Sequence, residues 1–408
     1  MRIRSITVFL NPRWPISELA LQKAGIFAQH AQDVLQSAGY EVQTIRLATP
    51  PFHTFLLPED YAQAVTRLGF LAHSEGFEYV ALGPASPNRP DTYAAIPEML
   101  PQSSNIFLTG HLTTPEGQIS LPAVRACAEV IHQTAPLERG GFANLRFAAL
   151  ANVPPWAPFF PAAYHKGNAP AFALALEAAD LAVEAFGSAT TLAEARAQLI
   201  EVVQHHASVL EEKCNYLANL YKFDFKGLDF TLAPFPGEGK SIGTALESLG
   251  LAAFGLSGSL AASAFLTDTL DRVSFKRTGF NGLMLPLLED STLAARGAEG
   301  SLTLTDLLLY SAVCGTGLDT LPLPGDTSVE QIQAILLDLA ALALRLNKPL
   351  TARLMPIPGK KAGDPTEFGF EYFANSKVLE VPAQPLGGPL AGDESLEIVP
   401  RKREMLSR

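Results

Sequence analysis

The stretch from Gly227 to Phe370 gathers the residues best suited to chemistry. It holds Asp229-Phe-Thr-Leu-Ala-Pro-Phe-Pro-Gly-Glu-Gly-Lys-Ser241, Cys314-Gly-Thr-Gly-Leu-Asp319, Pro324-Gly-Asp-Thr327, Pro358-Gly-Lys-Lys-Ala-Gly-Asp364 and Glu367-Phe-Gly369. Each run pairs glycine with ionisable or hydroxyl side chains beside an apolar segment. Glycine lets backbone approach a ligand closely, and α/β folds place their sites at strand ends.

Two of these runs suit an anion. Arg353 lies on an apolar segment leading into Lys360 and Lys361, a basic glycine loop in an acidic chain, and together they could hold a carboxylate or phosphate. The turn Gly237-Glu-Gly239 ahead of Ser241 could do so through backbone amides and the dipole of the helix that Ser241 caps. It is not a nucleotide-phosphate loop of the Walker type: Pro234 stands where that motif needs glycine, and proline has no N–H.

Acids are frequent near the same turns: Asp229, Glu238, Glu289, Asp290, Asp319, Asp326, Asp364 and Glu367. Two or three converging would suit a divalent cation, and one with a raised pKa would suit acid–base work. Singly, each serves as a helix cap or surface charge, and Asp326 suits a turn. Cys314 ends an apolar helical pattern, where the dipole opposes a thiolate, so an inert buried cysteine competes with a nucleophile. His165, after the proline-rich segment 152–161, is the histidine best placed for chemistry; an idle loop histidine is the alternative. His205 and His206 fall in a long helical pattern.

These residues need a large scaffold, and the composition supplies one. The 408 residues are 48% hydrophobic and 17% charged, with a net charge of −11 that argues against general nucleic-acid binding. No apolar run reaches the roughly 18 to 20 residues that span a bilayer. The N-terminus reads as a first strand rather than a signal peptide. Cys127, Cys214 and Cys314 have no metal-binding or disulfide spacing, so a reduced, cytoplasmic setting is the default.

Strands are expected at 4–10, 41–47, 77–82, 105–109, 145–151, 228–232, 252–256, 283–288, 317–321 and 351–357. Helices are expected at 17–37, 59–74, 121–133, 169–185, 192–221, 241–249, 260–270, 304–313 and 328–346. Their alternation implies a mainly parallel sheet, or a barrel with helices outside. Gly39 can stop the first helix in the left-handed conformation. Thr327 and Glu330 fit a capping box. Residues 1–380 read as one α/β barrel domain and 381–408 as an extended tail, ending in the charged run Arg401-Lys-Arg-Glu404.

In order along the chain, Asp229-x-x-Leu-Ala-Pro-x-Pro236, Cys314-x-x-Gly-Leu-Asp319, Gly325-Asp-Thr327, Arg353 with Pro356, and Lys361-x-Gly-Asp364-x-x-Glu-Phe-Gly369 resemble an uncharacterised family, the domain of unknown function 711, or uncharacterised protein family 0210. Ile3-Arg-Ser-Ile-Thr7 and the loop around His165 match more loosely. The resemblance implies a homodimer with a ten-stranded β/α barrel of the type found in pyruvate formate-lyase and other glycyl radical enzymes. It implies no reaction. The nearest run to the radical-bearing motif, Asp271-Arg-Val-Ser-Phe275, has Phe where glycine is needed and lies mid-chain, so the fold is expected without the radical.

The sequence therefore points to a small anionic metabolite in a barrel mouth. Arg353, Lys360, Lys361, Gly237, Gly239 and Ser241 would bind it. Asp229, Asp319, Glu367, His165 and Cys314 are the candidates for chemistry, with a divalent metal as a possible cofactor. A non-catalytic sensor or regulatory homodimer using the same pocket is the alternative, and a structural dimer whose motifs are only turns and caps is a third.

Overall fold

The computed structural model of the protein describes residues 1–400. Arg401-Lys-Arg-Glu404 lies outside the described residues. The strands are β1 (Arg2–Phe9), β2 (Ile45–Pro51), β3 (Tyr79–Ala85), β4 (Ile106–His111), β5 (Ile119–Ser120), β6 (Phe147–Ala151), β7 (Ala171–Glu177), β8 (Asp224–Ala233), β9 (Gly317–Pro324), β10 (Leu350–Ile357) and β11 (Ser395–Leu396). Nine of them form one mixed sheet in the order β8-β7-β1-β2-β3-β4-β6-β10-β9, while β5 and β11 pair separately.

Within the sheet β1, β2, β3, β4 and β6 run parallel. The flanking pairs β7–β8 and β10–β9 run the other way, joined antiparallel at β1 and β6. Parallel neighbours need long crossovers, and helices such as Glu18–Ser37, Tyr61–Ser74 and Leu121–Thr134 supply them. Those helices cover one sheet face, where Ile6, Val8, Leu47, Val80 and Leu108 join the main core.

The closed ten-stranded barrel expected from the sequence is not what forms: the sheet has nine strands and is not closed. The segment expected to be a strand at 283–288 meets β9 at a single bridge, Pro286 to Asp319, and a bridge from Arg277 to Leu228 meets β8. Pro286 has no N–H for a ladder, and Gly279 and Asn281 take positive φ, so the chain here cannot hold a regular strand.

A second correction concerns 169–185, expected to be helical. Ala171–Glu177 is instead β7, and the helix starts at Ala179. Alanine favours helix in isolation, but every residue of β7 is buried, and tertiary burial overrides that weak preference. The small side chains have a purpose. Ala48, Ala81, Ala171 and Ala173 leave room on the inner sheet face for Trp156 and Phe160. Ala148, Ala175 and Ala233 do the same for Val153, Ala157 and Phe159. The proline-rich segment is thus threaded against the inner face, and Thr7 Oγ1 donates to Pro158 O over 2.8 Å.

The expected strand at 252–256 is a run of turns. The capping box lies one residue further on than expected: Ser328 and Gln331 exchange backbone–side-chain bonds, while Thr327 Oγ1 donates to Pro324 O. Gly39 takes φ +90° after the first helix, and Ser241 caps the helix Ile242–Glu247, both as expected.

Candidate functional site

A cavity of about 310 Å³ opens at the N-terminal ends of the five parallel strands. Arg4 of β1, Arg46 of β2, Tyr79 of β3 and Phe107 of β4 form part of its wall, with Arg146 immediately before β6 and Arg353 of β10. The inserted proline-rich segment contributes Phe159 and Phe160. Phe142, Phe370 and Tyr372 cover another side, where Phe142 meets Phe370 edge-on at 5.1 Å between ring centres.

Most of the charge in this wall is already paired. Arg353 Nε donates to Asp319 Oδ1 and its Nη2 to Glu289 Oε1, each over 2.6 Å. Glu289 Oε2 accepts from Arg4 at 2.5 Å, and Arg4 also reaches Glu177 at 3.3 Å. Arg146 bonds Glu138 at 2.6 Å and the carbonyls of Leu100 and Ser103. Burial pushes the Glu289 carboxyl up, but Arg353 and Arg4 together outweigh it and hold it below the ordinary carboxylate value. Asp319 goes the other way: burial, aided by the charge of Glu289, raises it against the pull of Arg353.

Arg46 differs. Its Nε donates to Thr44 Oγ1 at 2.8 Å, and its guanidinium lies 5.1 Å from the Phe160 ring centre and 5.8 Å from that of Tyr79. Among the described residues no carboxylate comes within ion-pair distance, and neither Nη atom has a hydrogen-bond acceptor. Burial, then the charge of Arg4, pull its pKa down to about 10, so it stays a cation at neutral pH. Glu78, also in the wall, accepts from the Ile45 amide at 3.2 Å, and burial raises its carboxyl.

The residues expected from the sequence scatter. Arg353, in the cavity wall, comes together with Asp319 of the neighbouring strand β9. Lys360 and Glu367 pair with each other at 3.2 Å in the loop after β10, and the Lys361 amide donates to Asp364. Gly237 and Gly239 sit in a tight turn closed by the Lys240 amide on the Gly237 carbonyl. Ser241 Oγ is taken up by Asp290 at 2.6 Å. Asp229 is fully buried in β8, accepting from Thr231 and from the amides of Phe280 and Asn281. Cys314 is buried before β9, its carbonyl bonded by Lys348 Nζ. His165 is buried against Phe9, and neither ring nitrogen has a partner. Burial, then Lys226, depress its pKa to about 4. No group of three or more His, Cys, Asp or Glu among the described residues is placed to hold a metal ion.

Arg46, Glu78 and the rings outside segment 152–161 were missed; the aromatics of that segment read in the sequence as an ordered loop lining something, and Phe159 and Phe160 do line the cavity. The available signal was weak: an arginine within a largely apolar strand, as in Arg46 of β2, Arg4 of β1 and Arg353 of β10.

The fold and site define a mixed α/β protein with an arginine-bearing, aromatic-lined cavity and no membrane-spanning helix among its described residues. The chain belongs to the family described as Uncharacterised ACR (DUF711), whose profile matches residues 1–376. A UPF0210 protein of Pyrobaculum aerophilum is 31% identical over 383 residues, covering 88% of this chain and 84% of that protein. One from Pyrobaculum islandicum is 33% identical over 361 residues, covering 83% and 79%. One from Neisseria meningitidis serogroup A is 30% identical over 306 residues, covering 72% and 67%.

Proposed function

We propose that this protein binds a small anionic metabolite in the cavity at the N-terminal ends of the parallel strands, and that Arg46 receives the anion. The observation that carries this reading is the buried Arg46 guanidinium, which has no carboxylate partner among the described residues. A guanidinium taken largely out of water without an ion-pair partner is costly, and an anion that completes its hydrogen bonds recovers part of that cost. Arg353, the arginine first expected to do this, stands in the same wall but is already held by Asp319 and Glu289.

Binding without chemistry is the favoured form of the reading. Asp229 and Asp290 are consumed by hydrogen bonds within the protein, and Asp319 by Arg353. A ligand sensor, alone or as a homodimer, fits that arrangement. Kinship with the glycyl radical barrels is part of this proposal too, supported by the segment 276–288, which touches both edges of the sheet; no radical step is assigned to it.

Titration calorimetry with acetate and phosphate, on the wild type and on Arg46→Gln, tests the reading. Heat of binding that the variant loses supports it. Equal binding of the same anion by both proteins rejects it, as does a wild type that binds neither these anions nor a larger carboxylate.

A further inference from the structure

We infer that the ligand class is a monocarboxylate carrying a ring-sized apolar body, an aryl or arylalkyl carboxylate rather than a phosphate. This rests on the anion-binding reading above and narrows it.

Charge selects the valence. Of the four arginines in the wall, Arg4, Arg146 and Arg353 each face a carboxylate within 3.3 Å, and Arg46 alone does not. One free guanidinium satisfies one carboxylate through two parallel N–H donors. A phosphate dianion would leave a negative charge uncompensated in a wall that already contains Glu78. Such an excess charge out of water is unfavourable.

Shape and polarity select the body. The cavity, about 310 Å³, falls at the lower end of the roughly 300–1,000 Å³ range typical of organic-ligand sites. Acetate alone would leave most of it to be filled by water beside apolar walls. Phe107 stands edge-on to Phe160 at 5.5 Å and to Tyr79 at 5.3 Å, so three rings form a corner beside the arginine. Aromatic rings prefer offset and edge-to-face partners at such spacings. A planar ring joined to a carboxylate by a short linker places its charge on Arg46 and its ring in that corner.

The test uses the full chain and four probes in titration calorimetry: phenylacetate, acetate, phosphate and the neutral phenylacetamide. Phenylacetate is expected to bind at least about tenfold tighter than each of the others. Arg46→Gln is expected to lose at least about tenfold for phenylacetate. Phe107→Ala is expected to weaken phenylacetate several-fold and leave acetate unchanged. If acetate or phosphate binds as tightly as phenylacetate and depends on Arg46, the ligand class is wrong and anion binding stands. If phenylacetamide matches phenylacetate, or no probe binds, the anion reading falls as well. The wild-type probe series decides the class even if a variant fails to fold.

Discussion

Arg353 Nε lies 2.6 Å from Asp319 Oδ1 across the neighbouring strands β10 and β9, with both side chains almost wholly out of water. The same guanidinium holds Glu289. Removing it would leave two buried carboxylates near each other with one cation fewer. Breaking a buried pair by removing one partner costs about 3–5 kcal/mol. Arg353→Met is therefore expected to lower the urea midpoint sharply. A midpoint unchanged from the wild type would mean that the pair contributes nothing to the fold.

Arg46→Gln is expected to behave in the opposite way. Among the described residues no carboxylate within ion-pair distance is stranded by its loss, and a buried cation is exchanged for a neutral amide. In anion-free buffer its thermal midpoint should equal or exceed that of the wild type. A drop comparable to that of Arg353→Met would show that Arg46 is paired in solution, and the anion site would lose its basis.

Asp290 caps two helices at once. Its carboxylate accepts from the amides of Thr292 and Leu293 at the start of Ser291–Glu299, and from Ser241 Oγ and the amides of Ile242 and Gly243 at the start of Ile242–Glu247. Asp290→Ala strands those donors in a buried site, at a cost of roughly 3 kcal/mol. Hydrogen exchange should accelerate in both first turns together. Acceleration in only one of them would contradict a shared cap.

Two buried groups give acid responses of opposite sign. Burial raises Asp229 from 3.8 to about 6, against the bonds from Thr231, Phe280 and Asn281. Its neutral form is favoured by the folded state, so its contribution is present below pH 3.8 and lost as the pH rises towards 6. His165 is depressed from 6.5 to about 4, so its contribution is present above 6.5 and lost as the pH falls towards 4. Asp229→Asn should gain on the wild type between pH 4 and 6, whatever its fixed offset. His165→Phe, which removes unpartnered nitrogens, should flatten the acid-side decline. Thermal midpoints across pH 4 to 8 check both, and parallel curves for wild type and variant would refute the corresponding shift.

Glycine at 279 belongs to the same arrangement. It takes φ +74°, and a Cβ there would fall 2.1 Å from Asp229 Oδ2. The Asp229 motif, read from the sequence as a source of chemistry, is the anchor of this turn. The signal for its chemical use and for its structural use is the same residue type beside glycine, and only the partners tell them apart.

What the sequence determined by itself was local. The Ser241 cap, the Gly39 stop and the long helix at 192–221 follow from backbone rules acting over a few residues, and the family motifs led to the right family. Tertiary structure decided the rest. Glu289 meets Arg4 across 285 positions of chain, Asp319 meets Arg353 across strands, and the alanine-rich β7 becomes a strand because a proline-rich loop must lie against it. Arg46 stands apart for the same reason. Whether a buried arginine is free or paired depends on strand register and on which side chains face the same cavity, and neither is written in the residues beside it.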